Sequence, residues 1–265
     1  MCRDICNLRF YGIKYRTVND YNTKILVAVH AEDPAVWMFF AELVLLASMI
    51  LFTVVFLFIE KNKVRIPIAA NAREGMLVGT IVGIIWICAS AGIILASHQL
   101  VITDKNHIQM LWLWIFSAFI NVIMQELLVR GYIYQLLRTK YNLPAAIVVS
   151  TALFSLMHGG AFEAGLLPVM NIITMCLFTT ALYEAEGTLL APIMAHAIWN
   201  IVGGIVLGGV SLADDYPSLY SMTPSDNVIL SGGICKIEGS VVVLVVNIAL
   251  MLIFLRSARK MASRE

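Results

Sequence analysis

Seven apolar stretches separated by short polar segments set the pattern of this chain: 36–59, 76–95, 110–138, 143–157, 166–183, 189–210 and 241–255. A helix needs about 20 apolar residues to cross a hydrocarbon core of about 30 Å. The pattern therefore predicts an all-α, polytopic transmembrane bundle of seven or eight spans. The second stretch carries no charge, and Gly79, Gly83 and Gly92 in it fall at near-helical spacings that let a neighbouring helix approach closely. In the third stretch the apolar run from Met110 stops at Gln125, so the helix is expected to leave the hydrocarbon or change course near Gly131. The fourth has Pro144 at a first-turn position and ends in His158-Gly159-Gly160.

Composition agrees with this pattern. Of 265 residues, 60% are hydrophobic and 13% charged, about half the charge of an ordinary soluble domain. The formal net charge of +1 gives no reason to expect a nucleic-acid partner. The first 35 residues are polar, with a short amphipathic piece at 23–30, and show no apolar core of a cleavable signal peptide. Five cysteines without metal-ligand spacing imply no disulfide framework, and Cys88 and Cys176, inside spans, read as small core residues. Lys61, Lys63, Arg65, Arg73, Arg138, Lys140, Arg256, Arg259 and Lys260 can all face one side with seven spans. The positive-inside rule makes that side cytoplasmic, with the C-terminus, and the expected location is the cell membrane. The N-terminal tail, itself basic, then falls on the other side.

The polar residues inside apolar helices carry the chemistry. Glu126 and Arg130 are four apart and share one helix face, whereas Gln125 points about 100° away, with Asn121, Leu128 and Tyr132. His158 and His196 lie in or at the end of other apolar helices, and Asn200 follows His196 by one turn. Each alone reads as an interhelical hydrogen bonder; three ionisable groups on three helices favour a polar pocket. Glu42, near the start of the first span, is expected at the interface. Glu184 and Glu186 read as a solvated helix end. Trp37, Trp112 and Trp114 read as belt anchors and packing.

Three strings in this order, QELLVRG (125–131), FSLMH (154–158) and HAIWN (196–200), resemble the motifs of the CPBP membrane proteases. That family includes the CAAX prenyl endopeptidases and bacteriocin-processing or self-immunity proteins. The Gly-Thr-Leu-Leu-Ala-Pro-Ile run before the third string and the segment SDNVILSGGICKIEGS after it are similar too. The resemblance divides the chain into an N-terminal tail (1–35), two N-terminal helices (36–109), a protease-like core (110–255) built on four catalytic helices, and a basic tail (256–265).

It implies an intramembrane endopeptidase acting through an activated water. In the family pattern the first Glu and the motif-two His activate the water, the motif-three His and Asn hold the oxyanion, and the second Glu pairs with the Arg. Carried over, the catalytic set is Glu126, His158, His196 and Asn200, with Glu126–Arg130 as structural ion pair and Phe154 and Trp199 as cavity wall. The chain departs from the pattern at the first Glu, which is Gln125. A carboxamide orients water but takes no proton at neutral pH. Glu126 or His158 must then be the base, or the protein has kept the fold and lost the activity. No cofactor is required; a zinc version would use Glu126, His158 and His196 as ligands. Expected partners are the lipid bilayer and a membrane-associated peptide, prenylated or leader-bearing. A non-catalytic peptide-binding or immunity scaffold is the alternative, and a transporter or proton relay the third.

Overall fold

A computed structural model describes residues 33–61, 63–68, 70–212 and 216–262. The tail at 1–32, including the amphipathic piece at 23–30, lies outside the described residues.

All seven apolar stretches form helices. α1 (Pro34–Ile59) starts with Asp33 accepting a hydrogen bond from the Ala35 amide at 2.8 Å, and Pro34 sits where a helix has no use for its missing donor. α2 spans Ala72–Ala96. α3 (Leu111–Glu126) continues through a π-helical segment (Leu127–Tyr134) into α4 (Gln135–Lys140), so the expected change of course at Gly131 is a change of winding within one 30-residue helix. α5 (Leu143–Met157) opens on the side chain of Asn142, which accepts from the Ala145 amide at 2.8 Å. The short α6 (Gly160–Ala164) leads to α7 (Leu166–Glu186). α8 (Leu190–Ile198) also widens into a π segment (Trp199–Val206). After the short α9 (Val228–Ser231) and a 3-10 segment (Gly233–Gly239), α10 (Val241–Ala262) closes the chain. Five helices are long and apolar enough to cross a membrane (Pro34–Ile59, Ala72–Ala96, Leu111–Lys140, Leu166–Glu186 and Gly233–Lys260); Leu143–Met157 and Leu190–Val206 are shorter.

The packing is pairwise: α10 on α7, α2 on α8, and α1 on α3. Gly79 and Gly83 make the α2–α8 contact, because a Cβ at Gly79 would stand 2.2 Å from the Ala191 carbonyl oxygen and one at Gly83 3.0 Å from that of Ala195. Gly92 faces open space, so its part in a close approach is not realised. Deeper in this interface Trp86 of α2 stacks on Trp199 at 4.0 Å, and its indole N–H donates to Asn247 Oδ1 of α10 at 2.8 Å.

Two sequence expectations change, and one element is new. Cys88 faces outward and only Cys176 is a core residue, since Cys88 lies on the face of α2 turned away from α8. A two-stranded antiparallel ribbon, β1 (Leu100–Lys105) with β2 (Tyr220–Pro224), ties the α2–α3 connection to the loop before α10. The β-branched run Val101-Ile102-Thr103 suits that conformation. Finally, Glu42 is 5% exposed and buried between α1 and α3, because Asn121 and Tyr216 supply it with donors.

Candidate functional site

Arg130 is fully buried, and a buried guanidinium is tolerable only with its donors met. Its Nη1 donates to both Glu126 oxygens at 2.6 Å. Nη2 donates to the Cys176 carbonyl at 3.1 Å and to Thr179 Oγ1 at 2.5 Å, both on α7. The guanidinium carbon lies 5.1 Å from the centre of the Phe154 ring on α5. Glu126 and Arg130 therefore pair as their shared face requires, and the pair clamps α3 to α7.

Glu126 has a second partner. His196 Nδ1 lies 2.8 Å from Glu126 Oε1, joining the first motif to the third. A carboxylate oxygen only accepts, so Nδ1 carries a proton and donates. The other ring nitrogen, Nε2, is buried and has no hydrogen-bond partner among the described residues. The arrangement resembles the carboxylate–imidazole pair of a catalytic triad, in which the carboxylate fixes the tautomer and stabilises the imidazolium when it forms.

Phe154 joins the second motif to both. It is completely buried, with its ring 5.9 Å from that of His196, edge to face, and 4.4 Å from that of His158. His158 follows the last turn of α5, and its Nδ1 lies 2.8 Å from the Phe154 carbonyl oxygen. That oxygen also only accepts, so Nδ1 is again the donor and the Nε2 of neutral His158 is left as an acceptor. Asn200, 8% exposed, sits one turn beyond His196 at the start of the π segment.

Gln125 lies outside this cluster of contacts. It turns to its own helix, where Nε2 donates to Asn121 Oδ1 at 2.6 Å. Trp199, expected to wall the cavity, is 1% exposed and turned to Trp86. Among the described residues no three His, Cys, Asp or Glu side chains gather as a metal-ligand set. Glu126 spends its oxygens on Arg130 and His196, so Glu126, His158 and His196 do not present the open three-ligand arrangement of a catalytic zinc site.

Sequence reasoning missed the α7 half of the Arg130 cradle. Thr179 and Thr180 occur in an unremarkable TTAL run, and only the tertiary contact shows their use. It also missed Asn121 and Tyr216 as partners of Glu42, although Asn121 was visible as a polar residue sharing the face of Gln125. Glu184, read as a solvated end, binds Arg138 and accepts from the Tyr134 hydroxyl at 3.0 Å, a second clamp between the motif-one helix and α7.

Residues 107–202 match the family model described as Type II CAAX prenyl endopeptidase Rce1-like. The matched segment runs from just before α3 to just past Asn200, and so contains all three motifs. No curated protein and no solved structure matches the chain. Over residues 107–202 the chain is thus similar to the Rce1-like CAAX prenyl endopeptidases, consistent with a CPBP-family intramembrane protease.

Proposed function

We propose that this protein is an intramembrane endopeptidase that hydrolyses peptide bonds of a membrane-associated or lipidated peptide. The observation that carries the reading is the contact between Glu126 and His196, which leaves His196 Nε2 buried beside Phe154 and unpartnered among the described residues. A buried group without a partner is costly, and once the ring is protonated Nε2 is a donor that a substrate oxygen would satisfy.

In this reading His158 is the base. Its neutral Nε2 takes a proton from a water whose oxygen attacks the scissile carbonyl carbon. Protonated His196, steadied by Glu126, and the Asn200 carboxamide donate to the oxyanion that forms. As the tetrahedral intermediate collapses, the carbon–nitrogen bond breaks and the proton on His158 passes to the leaving amine. Glu126 stays ionised throughout, held by Arg130. The chemistry then needs no carboxylate at position 125, where Gln125 only orients water. The substrate class, a CAAX-type or leader-bearing peptide, is inferred from the family match. We place the protein in the cell membrane with its C-terminus cytoplasmic, on the strength of the basic residues gathered on that side.

A second reading, a peptide-binding or immunity scaffold that has lost catalysis, is favoured by the one amide that replaces the first motif carboxylate. Cleavage of a peptide library by the reconstituted protein separates the two. Activity that disappears in both His158→Ala and His196→Ala supports the peptidase. No cleavage by the wild type, with cleavage gained in Gln125→Glu, establishes the scaffold.

A further inference from the structure

Glu42 comes from α1, outside the segment that carries the three motifs. It is nonetheless wired to the anomalous position 125. Its two oxygens accept from Asn121 Nδ2 at 3.1 and 3.0 Å, and Oε1 also accepts from the Tyr216 hydroxyl at 3.3 Å. An ionised carboxylate has only acceptors to offer, so Asn121 must turn its NH2 group towards it. The carbonyl of Asn121 is thereby left facing along α3 to Gln125. Gln125 answers with its own NH2 group, donating from Nε2 to Asn121 Oδ1 at 2.6 Å. Its donor end is then used, and its Oε1 is buried with no hydrogen-bond partner among the described residues. Each amide orientation follows from the one before, and the first is set by the charge on Glu42.

We propose that Glu42 is a positioning residue for the site. Through Asn121 it fixes the amide of Gln125, so that position 125 offers a free carbonyl oxygen to a water, while the carboxylate of this network stands on the neighbouring helix at 42. A buried acceptor without a partner is what the O–H of an attacking water would bond, leaving the other O–H of that water for the base. The role of the water rests on the peptidase reading; the wiring of 42, 121 and 125 does not.

The wiring has a consequence that an isolated buried carboxylate would lack. Gln125→Glu places a second carboxylate against Asn121, which has one NH2 group and cannot serve both. Removing the charge at 42 first releases Asn121 to turn round and serve position 125.

The test uses four forms of the full chain purified in detergent: wild type, Glu42→Gln, Gln125→Glu and the double variant. Thermal unfolding midpoints are read first. Gln125→Glu is expected to lower the midpoint in the wild-type background and to lower it far less, or not at all, when Glu42→Gln is present. Midpoint changes that simply add overturn the wiring. Cleavage of a peptide library by the same proteins is read second. Glu42→Gln is expected to lower kcat about tenfold to a hundredfold with KM unchanged, the scale of a misplaced reacting group, and the double variant to recover part of that loss. Equal kcat for Glu42→Gln and wild type overturns the positioning role. Wild type that cleaves nothing removes the peptidase reading and the role with it, while the midpoints still decide the wiring.

Discussion

His196 and Glu126 meet at 2.8 Å across seventy residues of sequence, and Arg130 donates to both oxygens of the same carboxylate. One carboxylate thus serves as counter-ion for a structural cation and as the orienting partner of a candidate catalytic imidazole. Stability and chemistry should therefore fail together when it is removed. Glu126→Ala leaves the fully buried Arg130 without its counter-ion, and breaking such a pair costs about 3–5 kcal/mol. The unfolding midpoint in detergent is expected to fall sharply. Replacing both partners, Glu126→Leu with Arg130→Met, should return much of the stability and none of the activity. An unchanged midpoint in the single variant would show that the pair is not closed.

The two histidines should separate in a way that Glu126 does not. Among the described residues the hydrogen bond of His158 goes to a carbonyl of its own helix, so His158→Ala is expected to unfold near the wild-type midpoint. Its cleavage rate should nevertheless drop by about a hundredfold or more, as for a lost general base. His196→Ala should lose both, because the Glu126 carboxylate loses a buried donor. A His158→Ala protein that cleaves at the wild-type rate would take the base away from that residue.

The α2–α8 contact gives a prediction far from the chemistry. Gly79→Val puts a branched side chain where a single Cβ already stands 2.2 Å from the Ala191 carbonyl oxygen. Overpacking of this kind costs about 1–3 kcal/mol, and here it pushes on the helix that carries His196. Gly92→Ala, facing open space, should instead be neutral or stabilising by up to about 1 kcal/mol from helix propensity. A denaturation series on both variants checks the contrast; equal behaviour would mean that α2 does not sit against α8 as described.

Metal dependence can be read directly. With both Glu126 oxygens bonded to Arg130 or His196, the proposed reaction runs on protein groups alone. Protein dialysed against a chelator is expected to retain its cleavage rate. Loss of activity on chelation, restored by zinc, would replace this mechanism with a metal-assisted one.

Much of this was legible in the chain itself. Helix-period spacing paired Glu126 with Arg130 and set Gln125 beside Asn121, and both pairs are hydrogen-bonded. The glycines at 79 and 83 announced a close helix contact without naming α8 as the partner. What spacing along one helix does not carry is which residues meet across helices. Glu42 near a span end reads as interfacial until Asn121 and Tyr216 are seen beside it, from positions 79 and 174 residues away. The contact of His196 with Glu126 is of the same kind. The ribbon of β1 and β2 was hidden because its strands lie 115 residues apart and are short enough to pass for loops.

The winding of the motif-one helix bears on how such a site is kept. Between Leu127 and Tyr134 the backbone bonds reach back five residues instead of four, so this segment holds more residues per turn than the α-helix around it. Arg130 within it and Arg138 in α4 beyond it grip α7 at two heights, near Cys176 and at Glu184. Removing one of residues 132–134 would swing everything after it by about 100°, and Arg138 would leave Glu184 while Arg130 kept Glu126. All three motifs would then still be spelled correctly, on a helix whose far end no longer reached its anchor.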